Sequence, residues 1–444
     1  MRIQLSFPYS LLFSALFLLS ACDLDQERRE LINSRLEKID QVKDPAKITE
    51  LAQAQLEAAE KINYRKGIAD AEFFLGRANY RSGNYQLALQ HHLQALEIRR
   101  YMEDKAGTAK SYTALGNIYF HLTLYPEALQ YYQKALEANQ QLDKTEEIAE
   151  VYRNVGLVYR NMKQWEKAKR NFEDALVLYQ QLHNQERIGW LYNDLGINQE
   201  LEAQETGQAD YARILSWYKE SMRLNEALQA RQGLGWVYIN VGRMYCKLEQ
   251  PAQALEYLQK AEPLLTQDKD YPNLVIGYTR QGEAYRQLGK PTQALEALKK
   301  AEQLEEKVMG SAKENIGETY KVLQQVYAQL KDQAKVRLYQ EKEQGIMQAV
   351  AQIQAKGQLE HLQNQVLASK AREAYAIHAL SYSQFEALRT VTRLNLMMGM
   401  ALLLLFALLG GSVYFLRMQK HLALHKYFVH RMLDGEDLPK KPKK

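Results

Sequence analysis

A small residue returns every 40 positions along this chain, and two others return in step with it. Gly76, Gly116, Gly156 and Gly196 are 40 apart, and Gly242 and Gly282 resume the spacing after a six-residue insertion. Twelve positions after the glycine stands Ala88, Ala128, Ala168, Ala254 or Ala294. Nineteen positions after it stands Ala95, Ala135, Ala175, Ala261 or Ala301, and Tyr119, Tyr159, Tyr245 and Tyr285 follow three after it. A period of this length marks a stacked array in which each unit is one supersecondary element. Ala128, Tyr132 and Ala135 keep the i, i+4, i+7 spacing of a helix face. Breakers fall between the helices at Gly83-Asn84, Pro126, Pro251 and Gly289 with Pro291. A single helical hairpin cannot bury both faces, so its neighbours must stack on it. The expectation is an all-α solenoid, with Gly and Ala where helices approach closely and tyrosine and leucine filling the space beside them.

The pattern resembles the tetratricopeptide repeat family. The residues that carry the resemblance are Leu75-Gly76 with Tyr80, Gly83, Tyr85, Ala88 and Ala95. Leu115-Gly116, Tyr119, Tyr125, Ala128, Ala135 and Leu136 repeat them, as do Val155-Gly156, Tyr159, Trp165, Ala168 and Ala175. The 40-residue period looks like a long-helix variant of that family. The fourth unit departs from it, with Glu205-Thr206-Gly207-Gln208 in an insertion and Ser221 as its third small residue, and the last has Gln324 in place of glycine. The reading is a capping pair over 22–66, then seven units over 67–345.

Both ends of the chain carry membrane signals. Arg2, an apolar run and Leu19-Ser20-Ala21-Cys22 follow the order of a secretory signal over 1–21. The last four residues resemble the bacterial lipobox, which implies a lipid on Cys22. Asp23 after such a cysteine implies retention in the inner membrane. Residues 394–416 are apolar apart from Asn395 and Ser412, long enough to span a bilayer as one helix. Arg389 and Arg393 precede the span, whereas Arg417, Lys420, Lys426 and Arg431 follow it closely. That bias places the tail, 417–444, in the cytoplasm and the repeats in the periplasm. Between repeats and span, 346–393 reads as a long helix of about 70 Å at full extension. Ile346, Val350 and Ile353 keep 3-4 spacing, and Gly345 and Gly357 interrupt. The segment is either a two-stranded coiled coil, which would make a homodimer, or a bent helix folded back on the last repeats. With Cys22 lipidated, Cys246 has no intrachain partner and reads as a packed thiol.

Catalytic signatures are absent. The chain has no phosphate-binding glycine loop, no His-Glu-x-x-His and no nucleophile elbow, so neither an enzyme nor a cofactor is expected. His91-His92 diverge on a helix and do not read as a metal site. The 58 basic and 53 acidic residues are too balanced to suggest nucleic acid. The resemblance implies instead a groove lined by first-helix residues at −6, −3, +1, +4 and +5 from the glycine. Carried over by position, these include Asp70, Phe73, Arg77, Tyr80 and Arg81, then Lys110, Asn117, Phe120 and His121. Arg153, Arg160, Trp190, Asn193 and Trp236 follow, and then Arg243, Thr279 and Arg286. Such residues suit an extended protein or peptide ligand, although they are also ordinary polar lining. Two functions remain open at this stage. One is a periplasmic, membrane-anchored scaffold or adaptor. The other is a receptor subunit that resembles repeat-bearing bacterial sensors but lacks their output domain, and recruits a cytoplasmic partner through its tail.

Overall fold

The computed structural model describes residues 25–308 and 313–353 continuously and isolated residues between 363 and 420. It divides into Met1–Arg372 and Glu373–Lys444; only the first unit holds continuous described structure. Cys22, the signal segment 1–21, most of 354–393, most of the apolar segment 394–416 and nearly all of 417–444 lie outside the described residues. No helix among the described residues is long and apolar enough to cross a membrane.

The first unit is a run of paired helices, and no strand occurs among the described residues. Helix α1 (25–39) pairs with α2 (Pro45–Lys61) as the front cap. Five regular pairs follow: α3 (Arg65–Arg81) with α4 (Tyr85–Tyr101), α5 (Lys105–His121) with α6 (Tyr125–Gln140), α7 (Thr145–Asn161) with α8 (Trp165–Gln181), α9 (Gln185–Thr206) with α10 (Tyr211–Ala227), and α11 (Arg231–Lys247) with α12 (Pro251–Asp268). Then come α13 (Tyr271–Gln287) with α14 (Pro291–Glu302), and α15 (Glu314–Gln329) with α16 (333–353). The insertion of the fourth unit lengthens α9 to 22 residues, against 17 in most others, and ends it on Gly207 in the left-handed region. Helix α16 continues through Gly345, and its Ile346 and Val350 are buried in the cluster that contains Tyr320 and Leu323 of α15.

The period has a direct cause in the packing. A Cβ added to Gly116 would lie 2.5 Å from the ring of Tyr132, and one added to Gly156 would lie 2.6 Å from that of Phe172. Gly76 meets His92 in the same way, Gly196 meets Tyr218, and Gly242 and Gly282 meet Leu258 and Leu298. Each glycine therefore admits one large side chain of its partner helix, sixteen residues on, or twenty-two across the insertion. Tyr119 and Tyr245, three after their glycines, stack on Tyr131 and Tyr257 with centroids 5.2 and 5.6 Å apart. Gln324, where the last unit lacks the glycine, donates to Glu343 Oε2 (2.7 Å) and Tyr339 O (3.3 Å).

First helices of successive pairs also touch one another, as α3 does α5, α5 does α7, and α11 does α13. Among the described residues, the successive second helices from α2 to α14 are not in comparable contact. The first helices thus lie on the inner side of the curve, where the resemblance puts the groove.

Candidate functional site

Most of the groove cations are already engaged within the chain. Arg77 donates to the Ile39 carbonyl (2.8 Å) and to the Asp40 carboxylate, tying α3 to the end of α1. Arg81 reaches the carbonyls of Val42 and Lys43 at 3.1 and 3.3 Å. Arg153 Nε donates to Asp194 Oδ2 at 2.7 Å, and Arg160 approaches Asp194 Oδ1 at 3.4 Å. Asp194 is buried, so two arginines of α7 hold one carboxylate of α9. Arg243 of α11 donates to Glu200 Oε2 of α9 (2.6 Å), which also accepts from Tyr218 (3.0 Å). Asn117 accepts from Tyr132 (2.6 Å) and from Asn154 (3.3 Å). Thr279 and Thr319 hydroxyls meet at 2.7 Å. These bonds form a polar ladder from one first helix to the next. Exposed Lys110 has no such partner among the described residues, and Arg286 Nε is buried without one.

Other titratable groups near the groove are also held by packing. His92 is buried midway along α4, and burial with Arg99 nearby lowers its pKa to about 3. It is neutral at any ordinary pH. His91 shares a 2.7 Å contact with Glu72. Cys246 is buried, and burial pushes its thiol up to about 12, which leaves it unreactive. No cluster of metal-ligating residues occurs among the described residues.

Among the described residues, three cavities lie against the first helices of the repeats, and a fourth, of about 410 Å³, lies between α1 and α2 of the cap. One, of about 460 Å³, is lined by Asp70, Phe73 and Lys110 among others. A second, of about 480 Å³, adds Tyr80, Thr113 and Asn117. The third, of about 700 Å³, lies among α7, α9, α10 and α11 and is bordered by Arg153, Trp190, Asn193 and Trp236. Trp190 and Trp236 are 36% and 51% exposed, unusually open for indole rings. Asn225, at the rear of this third cavity on α10, escaped the sequence reading because it stands on a second helix. A signal for it exists: Arg99, Asn139 and Asn225 each stand four residues after the third small position, and all three are buried and polar.

Two models, each described as tetratricopeptide repeat, match this chain, one over 67–141 and 147–209 and the other over 277–308. Residues 67–209 and 277–308 thus carry tetratricopeptide repeats. The unmatched stretch between them holds the insertion's aftermath, with Ser221 at the third small position. Among solved structures, a signal-transduction ATPase with numerous domains and a tetratricopeptide repeat sensor, from Pyrococcus horikoshii, superposes with TM-score 0.58 at 15% identity. That match covers 74% of this chain and 49% of the other, so the chain spans about half the neighbour's length. Aspartyl phosphate phosphatase F from Bacillus subtilis superposes with TM-score 0.51 at 16% identity, covering 78% of this chain and 85% of that one. At such identities the likeness concerns the fold. No curated protein matches the chain.

Proposed function

We propose that this chain is a membrane-tethered periplasmic scaffold that binds an extended segment of another protein along its first helices. One observation carries the reading: the three cavities fall at the same register, with residues −6 and −3 from the repeat glycine lining each. Asp70 and Phe73, Lys110 and Thr113, and Trp190 and Asn193 are such pairs. Sites repeated along a line suit an extended chain better than a compact ligand. The lipobox-like Leu19-Ser20-Ala21-Cys22, the apolar segment 394–416 and the basic residues after it support the tether and the orientation.

Alkaline phosphatase fused after Thr390 should be active, and fused after Lys444 it should not. The reverse pattern would overturn the topology. A photo-crosslinking residue at position 110 should capture a discrete protein in cells, whereas one at exposed position 134, on a second helix, should not. Equal capture at both positions would overturn the groove.

A further inference from the structure

The cavity among α7, α9, α10 and α11 presents a hydrogen-bond donor and an acceptor whose orientations are fixed by groups behind them. A guanidinium can only donate, so the oxygen of Asn240 must face Arg243, and it accepts from Arg243 Nη2 at 3.0 Å. The amide nitrogen of Asn240 then donates to Asn193 Oδ1 at 2.9 Å. Asn193 is left with its Nδ2 as a donor, and Asn193 lines the cavity. Arg243 is itself held by Glu200 at 2.6 Å. The relay from Glu200 to Asn193 thus sets which end of the last carboxamide is offered.

Asn225 is set the opposite way. Its Nδ2 donates to the Ser221 carbonyl at 2.8 Å, an atom that can only accept, so Oδ1 is the end turned away. Asn225 is 4% exposed and lines the same cavity, and its Oδ1 accepts no hydrogen bond among the described residues. Glycines of two first helices flank it. A Cβ at Gly233 would lie 2.3 Å from Asn225 Oδ1, and one at Gly189 would lie 3.4 Å from Nδ2. A side chain at Gly233 would cover the acceptor. A buried acceptor left open beside a fixed donor matches the N–H and C=O of a peptide backbone.

The walls indicate the side chain. Trp190 already carries a cation, Arg187 at 4.4 Å from its centroid. Trp236 is half exposed and has no cation over its ring among the described residues, although its Nε1 is anchored on Asp270 Oδ2 at 2.5 Å. Asp268 borders the same cavity and has no ion-pair partner among the described residues, whereas Asp194 is saturated by two arginines. An indole face beside a free carboxylate favours a cationic group.

We infer that this cavity binds one residue of an extended peptide with a lysine or arginine side chain. Its backbone is read by Asn193 and Asn225, and its cation lies on Trp236 toward Asp268. The inference rests on the groove reading above and specifies one subsite of it.

The test uses the full-length chain purified in detergent and capped pentapeptides, acetyl-Ala-Ala-X-Ala-Ala-amide, with lysine, leucine, glutamate or alanine as X. Tryptophan fluorescence and calorimetry report binding. The lysine peptide should bind at least about tenfold tighter than the other three. N-methylation of its central amide, which removes the donor to Asn225, should weaken it about tenfold. Trp236→Leu and Asp268→Asn should each remove most of the preference for lysine while melting as the parent does. A leucine peptide that binds as tightly as the lysine one would overturn the assignment, as would no binding by any peptide. If lysine-peptide binding survives both substitutions but falls with Lys110→Ala, this subsite is wrong and the groove reading stands.

Discussion

Each repeat glycine is defined by the side chain it faces, and the fit is tight enough to test with one methyl group. Gly156→Ala would place a carbon 2.6 Å from Phe172 Cε1, closer than packed atoms tolerate. The expected loss is roughly 1–3 kcal/mol, read as a lower thermal midpoint. Phe172→Leu restores the size found at Leu258 and Leu298 and should recover part of that loss when combined with Gly156→Ala. Additive effects of the two changes would show that the glycine does not serve this contact. In the first unit the facing residue is His92, whose pKa is lowered to about 3 chiefly by burial. The unfolded chain binds a proton near pH 6.5 that the folded chain refuses until about pH 3. His92 therefore gives full stability above pH 6.5 and costs stability as pH falls below it, by at most about 1.4 kcal/mol per pH unit. His92→Phe copies the third unit and should flatten this fall between pH 6.5 and 4. An unchanged slope in denaturant titrations across that range would reject the assignment.

The elements repeat at half the spacing legible in the sequence. Asn63, Gly83, Glu103, Thr123, Asp143, Lys163 and His183, each twenty residues from the last, all have φ between 51° and 76°. Every one closes a helix in the same three-residue turn, with the next amide bonding five residues back, as Asp104 N does to Arg99 O at 2.9 Å. Turns within a hairpin and between hairpins are thus built alike. Sequence reading found only those marked by glycine or proline, since side chains as different as glutamate, lysine and histidine fill the others. The 40-residue period was legible because glycine and alanine record a steric limit, whereas the left-handed turns carry no constant residue type. The site divides in the same way. Trp190, Asn193 and Trp236 follow from the glycine register. Asn225 does not, because it stands on a second helix, four residues after Ser221, whereas the groove positions carried over from the glycine are all on first helices. A left-handed glutamate is costly, and Glu103 is exposed at φ 57°. Glu103→Gly relieves about 1–2 kcal/mol of that cost and gives back part of it in unfolded-state entropy. The expected net gain is on the order of 0.5 kcal/mol, whereas Glu137→Gly, on the exposed face of α6, should lose about 1 kcal/mol. A loss at both positions, measured by denaturant midpoints, would contradict the turn geometry.

At the scale of the molecule, the inner face holds neighbouring helices together, and under the proposed function it would also meet a partner, with different residues for each. The ladder of Arg153, Arg160 and Arg243 with Asp194 and Glu200 joins one first helix to the next, while Lys110, Trp236 and Asp268 remain available to a partner. Charge reversal at Arg153 and Arg160 is therefore a poor probe of binding, because it places acids beside buried Asp194. A cleaner change is Arg153→Leu with Arg160→Leu, which leaves the Asp194 carboxylate buried without its cations. Breaking a buried pair of this kind costs about 3–5 kcal/mol, and replacing all three groups by apolar ones should recover much of it. Adding Asp194→Leu to the double variant should accordingly raise its thermal midpoint again. Because each pair of helices contacts mainly its neighbours, the damage should also stay local. Amide exchange should quicken in α7 to α9 and remain unchanged in α13 to α15. Uniform quickening along the repeats would mean that the solenoid opens as one cooperative body, and the ladder between α7 and α9 would then be one part of a shared core instead of a separate joint.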